Sequence, residues 1–272
     1  MSVGKETNLL KKNNNFSFEK YYLDMVTSEG QYIIGYAAKL KYGSFTLGYA
    51  STIHHADIDG INQGPVLYSS EMPIIQDDSI YWKNCKLGID GKWNQKSESF
   101  QHTLLDNSSG SVQWECLQNK AEVTIKTNSG KSYEGLGYSE FLKMTLKPWE
   151  IGLKILYWGR YVSETNSIVW IEWQGKKPLI LLNFNGQIMT GAKISDQLIE
   201  CDEFSLALKQ KEIIRSGNLG NTVLSKIPPV LRVAPLEMLN VIEEKYLSQG
   251  TLDLNGNYQD IGWVIHEKVT WP

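Results

Sequence analysis

Nearly every stretch of this chain longer than a turn alternates apolar and polar residues with a period of two. That pattern restricts the fold more than any other property of the sequence. In QYIIGYAAKLKYG, Tyr32, Ile34, Tyr36, Ala38, Leu40 and Tyr42 share one face, while Gln31, Lys39 and Lys41 share the other. In SFTLGYASTIHH, Phe45, Leu47, Tyr49 and Ile53 align, and Gly43-Ser44 between the two runs reads as a hairpin turn. Successive side chains of a strand point to opposite faces, so this alternation means half-buried strands. YYLDMVT, SFQHTLLD, SVQWECLQ, AEVTIKT, SIVWIEWQG, PLILLNF and GWVIHEKVTWP repeat the pattern, punctuated by Asp-Gly, Ser-Gly and Asn-Gly turns. Such a chain is expected to be antiparallel β, closed into barrels or paired into sandwiches. No βαβ alternation appears, which excludes a doubly wound sheet.

The 272 residues suffice for one large β domain or two smaller ones. Asn128-Ser129-Gly130 separates a first set of strands from a second, predicting domains over 1–130 and 131–272. On this division the segment YEGLGYSEFLKMTLKPWEIGLKILYWGR forms two strands, joined by a Pro148-Trp149 corner, that open the second barrel. PLEMLNVIEEKYLSQG is the one helix candidate, with Pro235 near its start, Gly250 after its end, and a partial stripe of Leu236, Leu239, Ile242 and Tyr246. The same residues also fit an extended edge strand.

Composition narrows the function. A net charge of −3 without a basic block argues against nucleic acid or an anionic membrane surface as partner. No apolar run approaches the ~18 residues of a membrane span, and MSVGKETNLLKKNNNF lacks the apolar core of a secretory leader. Cys85, Cys116 and Cys201 are scattered and odd in number, which suits a reducing compartment and neither a disulfide framework nor a zinc site. A cytoplasmic location is the expectation. Nine Trp and 14 Tyr supply large apolar bodies with one polar handle each, suited to a barrel interior or an aromatic-lined binding surface.

Gly135-Leu136-Gly137 begins like a phosphate-binding fingerprint, but Glu140 stands where its third glycine belongs and a strand follows. The nucleotide reading fails. Within GYSEFLKMTL, Glu140 shares a face with Tyr138, Leu142, Met144 and Leu146; within KILYWGRYVS, Arg160 shares one with Leu156, Trp158 and Val162. A charge on an apolar face is costly unless paired, so Glu140 and Arg160 are expected to meet inside or at the mouth of a barrel. Such a pair can be catalytic or merely fix strand register. His55 aligns with Ile53 and Tyr49, and His102 with Phe100 and Leu104. Glu267 aligns with Trp263, Ile265, Val269 and Trp271, and His266 falls on the opposite, more polar face. His55, Asp57 and Asp59 of HHADIDG have metal-ligand chemistry, but Asp-Gly there reads better as a turn, and no metal is expected. Glu140 with Glu172 or Glu267 could form a glycosidase pair, although no spacing points to one. Nucleophile-elbow and Cys–His signatures are missing, and nothing implies a cofactor.

FSFEKYYLDMVTSEGQYIIGYAAKLKYG, GLGYSEFLKMTLKPW, LYWGRYVSETNSIVWIEWQG and GWVIHEKVTWP resemble the hydroxyneurosporene synthase-like (carotenoid 1,2-hydratase-like, AttH-like) proteins. The Gly-Tyr-x-Glu and Trp-Gly-Arg blocks carry most of the likeness, which runs from about Phe16 to Pro272. The resemblance implies an all-β fold of two lipocalin-like antiparallel barrels of calycin type, and an extended PLEMLNVIEEKYLSQG. It implies hydration of an isoprenoid double bond or guided cyclisation of polyketide-like substrates. Tyr138, Glu140, Trp158, Arg160, His266 and Glu267 match its recurrent blocks.

These readings together predict an enzyme, or else a carrier, for a lipophilic small molecule: isoprenoid, polyene or polyketide-like. In a cofactor-independent hydratase, Glu140 would protonate the alkene, the ring of Trp158 would stabilise the cation, and His55 or His266 would orient water. In an isomerase or cyclase, Tyr138 and Arg160 would supply hydrogen bonds. The catalytic expectation is thus Glu140, His266 and Arg160, with Tyr138, Trp158, His55 and Glu267 binding the ligand. The sequence is silent on oligomeric state.

Overall fold

The computed structural model describes residues 15–62, 64–256 and 259–272; the leader reading concerns residues 1–14, outside these. The first strands are β1 (Phe16–Val26), β2 (Tyr32–Tyr42), β3 (Phe45–His54), β4 (Val66–Leu67), β5 (Ile74–Gln76), β6 (Ser79–Asn84), β7 (Ile89–Gln95), β8 (Phe100–Asn107), β9 (Gly110–Thr127) and β10 (Ser132–Met144). They form one antiparallel sheet in the order β4-β3-β2-β1-β10-β9-β7-β6-β5, with β8 on β9. The second set is β11 (Leu153–Val162), β12 (Ser167–Gly175), β13 (Leu179–Phe184), β14 (Gln187–Met189), β15 (Lys193–Ile194), β16 (Leu198–Glu200), β17 (Ser205–Asn218), β18 (Ile242–Asp253) and β19 (Gln259–Thr270). Their order is β14-β13-β12-β11-β19-β18-β17-β16-β15. The fold is the expected pair of lipocalin-like sheets. Among the described residues no helix is long and apolar enough to cross a membrane.

Each sheet curls around its own core. Trp82 on β6 lies so close to β2 that a Cβ on Gly35 would sit 2.3 Å from its ring, although four strands separate the two in the sheet. Leu23, Met25, Ile33, Trp82, Trp93, Val123 and Ile125 fill that concave side. Tyr161, Ile168, Trp170, Phe204, Leu206, Leu252 and Val264 fill the other. Both half-barrels are therefore packed solid where a ligand was expected.

A third core lies between the outer faces of the two sheets. There Tyr22, Ile34, Trp114 and Tyr138 of the first sheet pack on Trp158, Val169, Ile171, Leu247 and Ile265 of the second. Parity explains it: β1 sends Leu23 and Met25 inward, and Tyr22, Asp24 and Val26 toward the neighbouring sheet. The apolar face that carries Glu140 belongs to this layer and not to a barrel interior.

Two sequence expectations change. Strand β10 pairs with β1 and β9 in the first sheet, so the crossover lies at residues 145–152 and not near 130. The glycines of Gly135-Leu136-Gly137 serve this pairing: a Cβ on either would fall 2.2 or 2.0 Å from a β1 carbonyl oxygen. PLEMLNVIEEKYLSQG divides, with a helical turn at Leu236–Leu239 (α3) followed by strand β18. That turn belongs to an insertion between β17 and β18 that also holds Leu219–Thr222 (α1) and Pro228–Leu231 (α2).

Candidate functional site

Two rows of side chains face each other between the sheets. Across the first sheet, register places Tyr36 beside Tyr22 and Tyr22 beside Glu140. Across the second, Lys245 lies beside Glu267 and Glu267 beside Trp158. Tyr22 and Trp158 meet edge to face with ring centroids 5.0 Å apart. A cavity of about 380 Å³ opens beside them, within the usual range for small-molecule sites. Its walls are mostly apolar, with Phe18, Leu40, Leu47 and Leu142 from the first sheet. The insertion closes it with Leu219, Val223, Leu224, Ile227 and Val230. A larger cleft of about 620 Å³ lies by the loops after β1 and β11, but it lacks this convergence of buried charge.

Glu140 is 4% exposed and lines the cavity. Its Oε2 accepts three hydrogen bonds: from Trp114 Nε1 at 2.6 Å, Tyr138 Oη at 2.9 Å and Trp158 Nε1 at 3.0 Å. Lys20 Nζ stands 3.6 Å from Oε1. Every one of these partners donates, so both oxygens of Glu140 face donors. Burial, then the charge of Glu140, pushes the Tyr138 phenol well above its ordinary range, so Tyr138 remains a donor.

Lys245, 2% exposed, is bonded to Glu267, with its ammonium 5.5 Å from the Tyr22 ring and 5.2 Å from the Trp158 ring. Burial, the largest single influence, opposes its charge, yet Glu267, Tyr36 and Glu243 together outweigh it and raise its pKa. Glu267 shows the converse: burial pulls upward most, but the charge and hydrogen bond of Lys245 with the charges of Lys20 and Arg215 together outweigh it, and the carboxyl ends below its usual range. Arg215 bonds Glu243 at 2.5 Å and lies 5.9 Å from the Tyr36 ring. Among the described residues, no three His, Cys, Asp or Glu side chains are grouped to hold a metal.

Of the expected site residues, Glu140, Trp158 and Glu267 line this cavity, and Tyr138 stands behind Glu140 as its donor. Arg160 does not meet Glu140. Its Nε and Nη2 grip both oxygens of Asp24, at 3.0 Å to Oδ2 and 2.8 Å to Oδ1, and Nη1 donates to the Trp263 carbonyl. Asp24 wins because it lies on the same outer face of β1 and presents two oxygens to the guanidinium fork. His266 points to the other side of its sheet, with Nε2 3.0 Å from Ser248 Oγ and its ring stacked on Tyr246. Burial, then the charges of Lys211 and Lys245, lowers it to about 3. His55 lies beyond β3, edge-on to Tyr32 and 3.6 Å from Asp57, away from the cavity. Asp59 pairs with Lys131, in keeping with the turn reading of HHADIDG.

Lys20, Tyr36, Arg215, Glu243 and Lys245 were not singled out from the sequence. Their signal was present: Glu243, Lys245 and Leu247 alternate with the less buried Ile242, Glu244 and Tyr246, but a helical stripe over the same residues obscured it.

No known family profile matches the sequence, and no curated protein does. Solved structures do match in fold. CghA bound to Sch210972 superposes with a TM-score of 0.51 at 8% identity, covering 99% of this chain and 93% of CghA. Kievitone hydratase from Nectria haematococca gives 0.51 at 8% identity, over 98% and 93% of the two chains. A Nitrosomonas europaea protein provisionally named AttH gives 0.51 at 9%, over 99% and 98%. At these identities the likeness shows a shared fold.

Proposed function

We propose that this chain binds a lipophilic small molecule between its two sheets and acts on it as a cofactor-independent isomerase, cyclase or hydratase. Glu140 is the proton-transferring group. One observation supports this above the others: a buried carboxylate borders an apolar cavity of ligand size, with two cations, the buried Lys245 and the half-buried Arg215, on the opposite wall. The fold shared with a kievitone hydratase supports the hydratase member of this set, and the fold shared with CghA, solved with Sch210972, supports binding of a small molecule.

The geometry favours isomerisation or cyclisation over alkene hydration. Hydration needs Glu140 as an acid and a ring face for the resulting carbocation. The faces of Tyr22 and Trp158 already hold Lys245, which would repel that cation. As a carboxylate, Glu140 can instead take a proton from a substrate carbon. The electrons released move onto a substrate oxygen near the cationic wall, and the proton returns at a second carbon or, in a ring closure, at the atom that has received the electron pair.

The test is deuterium entry from D2O into the carbon skeleton of the lipophile that co-purifies with the protein, followed by mass spectrometry. Glu140→Gln should abolish it while the lipophile stays bound. Deuterium uptake at the wild-type rate in Glu140→Gln would defeat the catalytic reading. A carrier is the second reading, favoured by the three donors that already occupy Oε2 of Glu140.

A further inference from the structure

Four polar atoms on the cavity residues have no protein partner and no contact with solvent: Tyr36 Oη, Arg215 Nε, Trp271 Nε1 and Glu243 Oε2. Buried polar groups are nearly always bonded, because each one left alone forfeits its hydration without replacement. Here three of the four, on Tyr36, Arg215 and Glu243, gather at one place, and Trp271 lines the same cavity. Glu243 is bonded to Arg215, and Arg215 lies over the Tyr36 ring. The indole Nε1 and the guanidinium Nε can only donate, and the carboxylate oxygen can only accept. The phenol does either, and burial, the largest influence on it, holds it above its ordinary range, so it keeps its proton to donate. Phe18, Leu40, Leu47, Leu142 and Ile227 give the wall its apolar part, and the charged groups of Glu140, Lys245 and Glu267 that also line it already have protein partners.

A plain hydrocarbon in this cavity would leave all four atoms unsatisfied. We propose that the natural occupant is a lipophile with one oxygenated end that both accepts and donates. A hydroxy-carbonyl group has this chemistry: its carbonyl oxygen takes the Tyr36 hydroxyl and the Arg215 Nε–H, and its hydroxyl donates to Glu243 Oε2. This rests on the reading of the inter-sheet cavity as the binding site, and it names the ligand class. The carbonyl it brings is also the oxygen that the proton transfer by Glu140 requires.

Three probes of equal chain length separate the possibilities: 1-hydroxy-2-pentadecanone, 2-pentadecanone and 1-pentadecene, each titrated against the full chain by quenching of tryptophan fluorescence. Affinity should fall in that order, by about 5–10-fold on loss of the hydroxyl, the usual worth of one hydrogen bond, and by more on loss of the carbonyl, which accepts two. Tyr36→Phe keeps the ring and removes the hydroxyl. It should weaken both ketones about 5–10-fold and leave the alkene within twofold. Arg215→Lys, which keeps the charge and removes the Nε–H, is a second probe of the same end and should show the same selectivity with a smaller loss. Equal affinity for the three probes, or an equal shift of all three in both variants, would overturn the oxygenated-end assignment while sparing the cavity. Binding of none of them by the folded protein would remove the cavity reading and this inference together.

Discussion

Two groups of buried charge lie in the same layer between the sheets, and they are built differently. Asp24 and Arg160 are both fully enclosed. Asp24 accepts from the guanidinium and from the Tyr22 hydroxyl, and Arg160 spends its remaining Nη1 on a backbone carbonyl. The second group, Glu140, Lys245–Glu267 and Arg215–Glu243, borders a cavity and leaves several polar atoms without partners. A buried pair whose valences close on the protein itself is a fastener between sheets. One that is left incomplete beside an apolar space has capacity for something else. The residue that looked most like a catalyst's partner, Arg160, is therefore in the fastener, and residues the sequence did not advertise are in the site.

The largest expected effect breaks the fastener. Arg160→Met leaves the Asp24 carboxylate buried without its counter-charge. It should cost about 3–5 kcal/mol of stability in denaturant titration. Replacing both partners, Asp24→Leu with Arg160→Met, should recover much of that, since two apolar groups carry no desolvation penalty. A loss below about 1 kcal/mol in the single variant would show that the pair does not hold the sheets together.

His266 tests whether a buried polar group can be neither fastener nor site. Its pKa falls from 6.5 to about 3 on folding. The folded state therefore resists a proton that the unfolded chain accepts. Its contribution is complete above pH 6.5 and drains away as pH falls toward about 3. The loss amounts to roughly 3 kcal/mol by pH 4 at about 1.4 kcal/mol per unit. His266→Gln should flatten the stability profile over that window and leave turnover near wild type. Glu140→Gln comes next, at about 1–3 kcal/mol, because three donors lose a charged acceptor. A thermal shift with no loss of deuterium uptake would move Glu140 from the site to the fastener class.

The sequence made the strands legible because period-two alternation is a local signal. Tyr32 to Tyr42 and Phe45 to His54 read correctly down to the turn at Gly43. It also placed Glu140 and Trp158 on buried faces, and these two do meet. Alternation says that a face is covered and not by what. The same apolar stripe fits a barrel interior or a back-to-back interface, and the concave sides turned out to be filled by Trp82 and Trp93. The partner of Arg160 was out of reach for a related reason: Asp24 is 136 residues away, and its candidacy depends on how two sheets stack. Lys245 was hidden because a four-residue helix runs almost directly into its strand, so two periodicities overlap.

The smallest effect on stability is the sharpest on the comparison. Lys20 is a quarter exposed, and its ammonium is 3.6 Å from Glu140. A loose, partly solvated pair of this kind is worth under about 1 kcal/mol. If Lys20 belonged to the fastener, Lys20→Met would do nothing beyond that small loss. As the only cation near Oε1 of Glu140 among the described residues, it should instead affect the carboxylate's chemistry. Lys20→Met should leave the melting temperature within a few degrees of wild type and lower the rate of deuterium uptake by about tenfold, roughly 1.4 kcal/mol in the barrier. An unchanged rate would confine the working part of the cavity to the opposite wall, with Lys245 and Arg215.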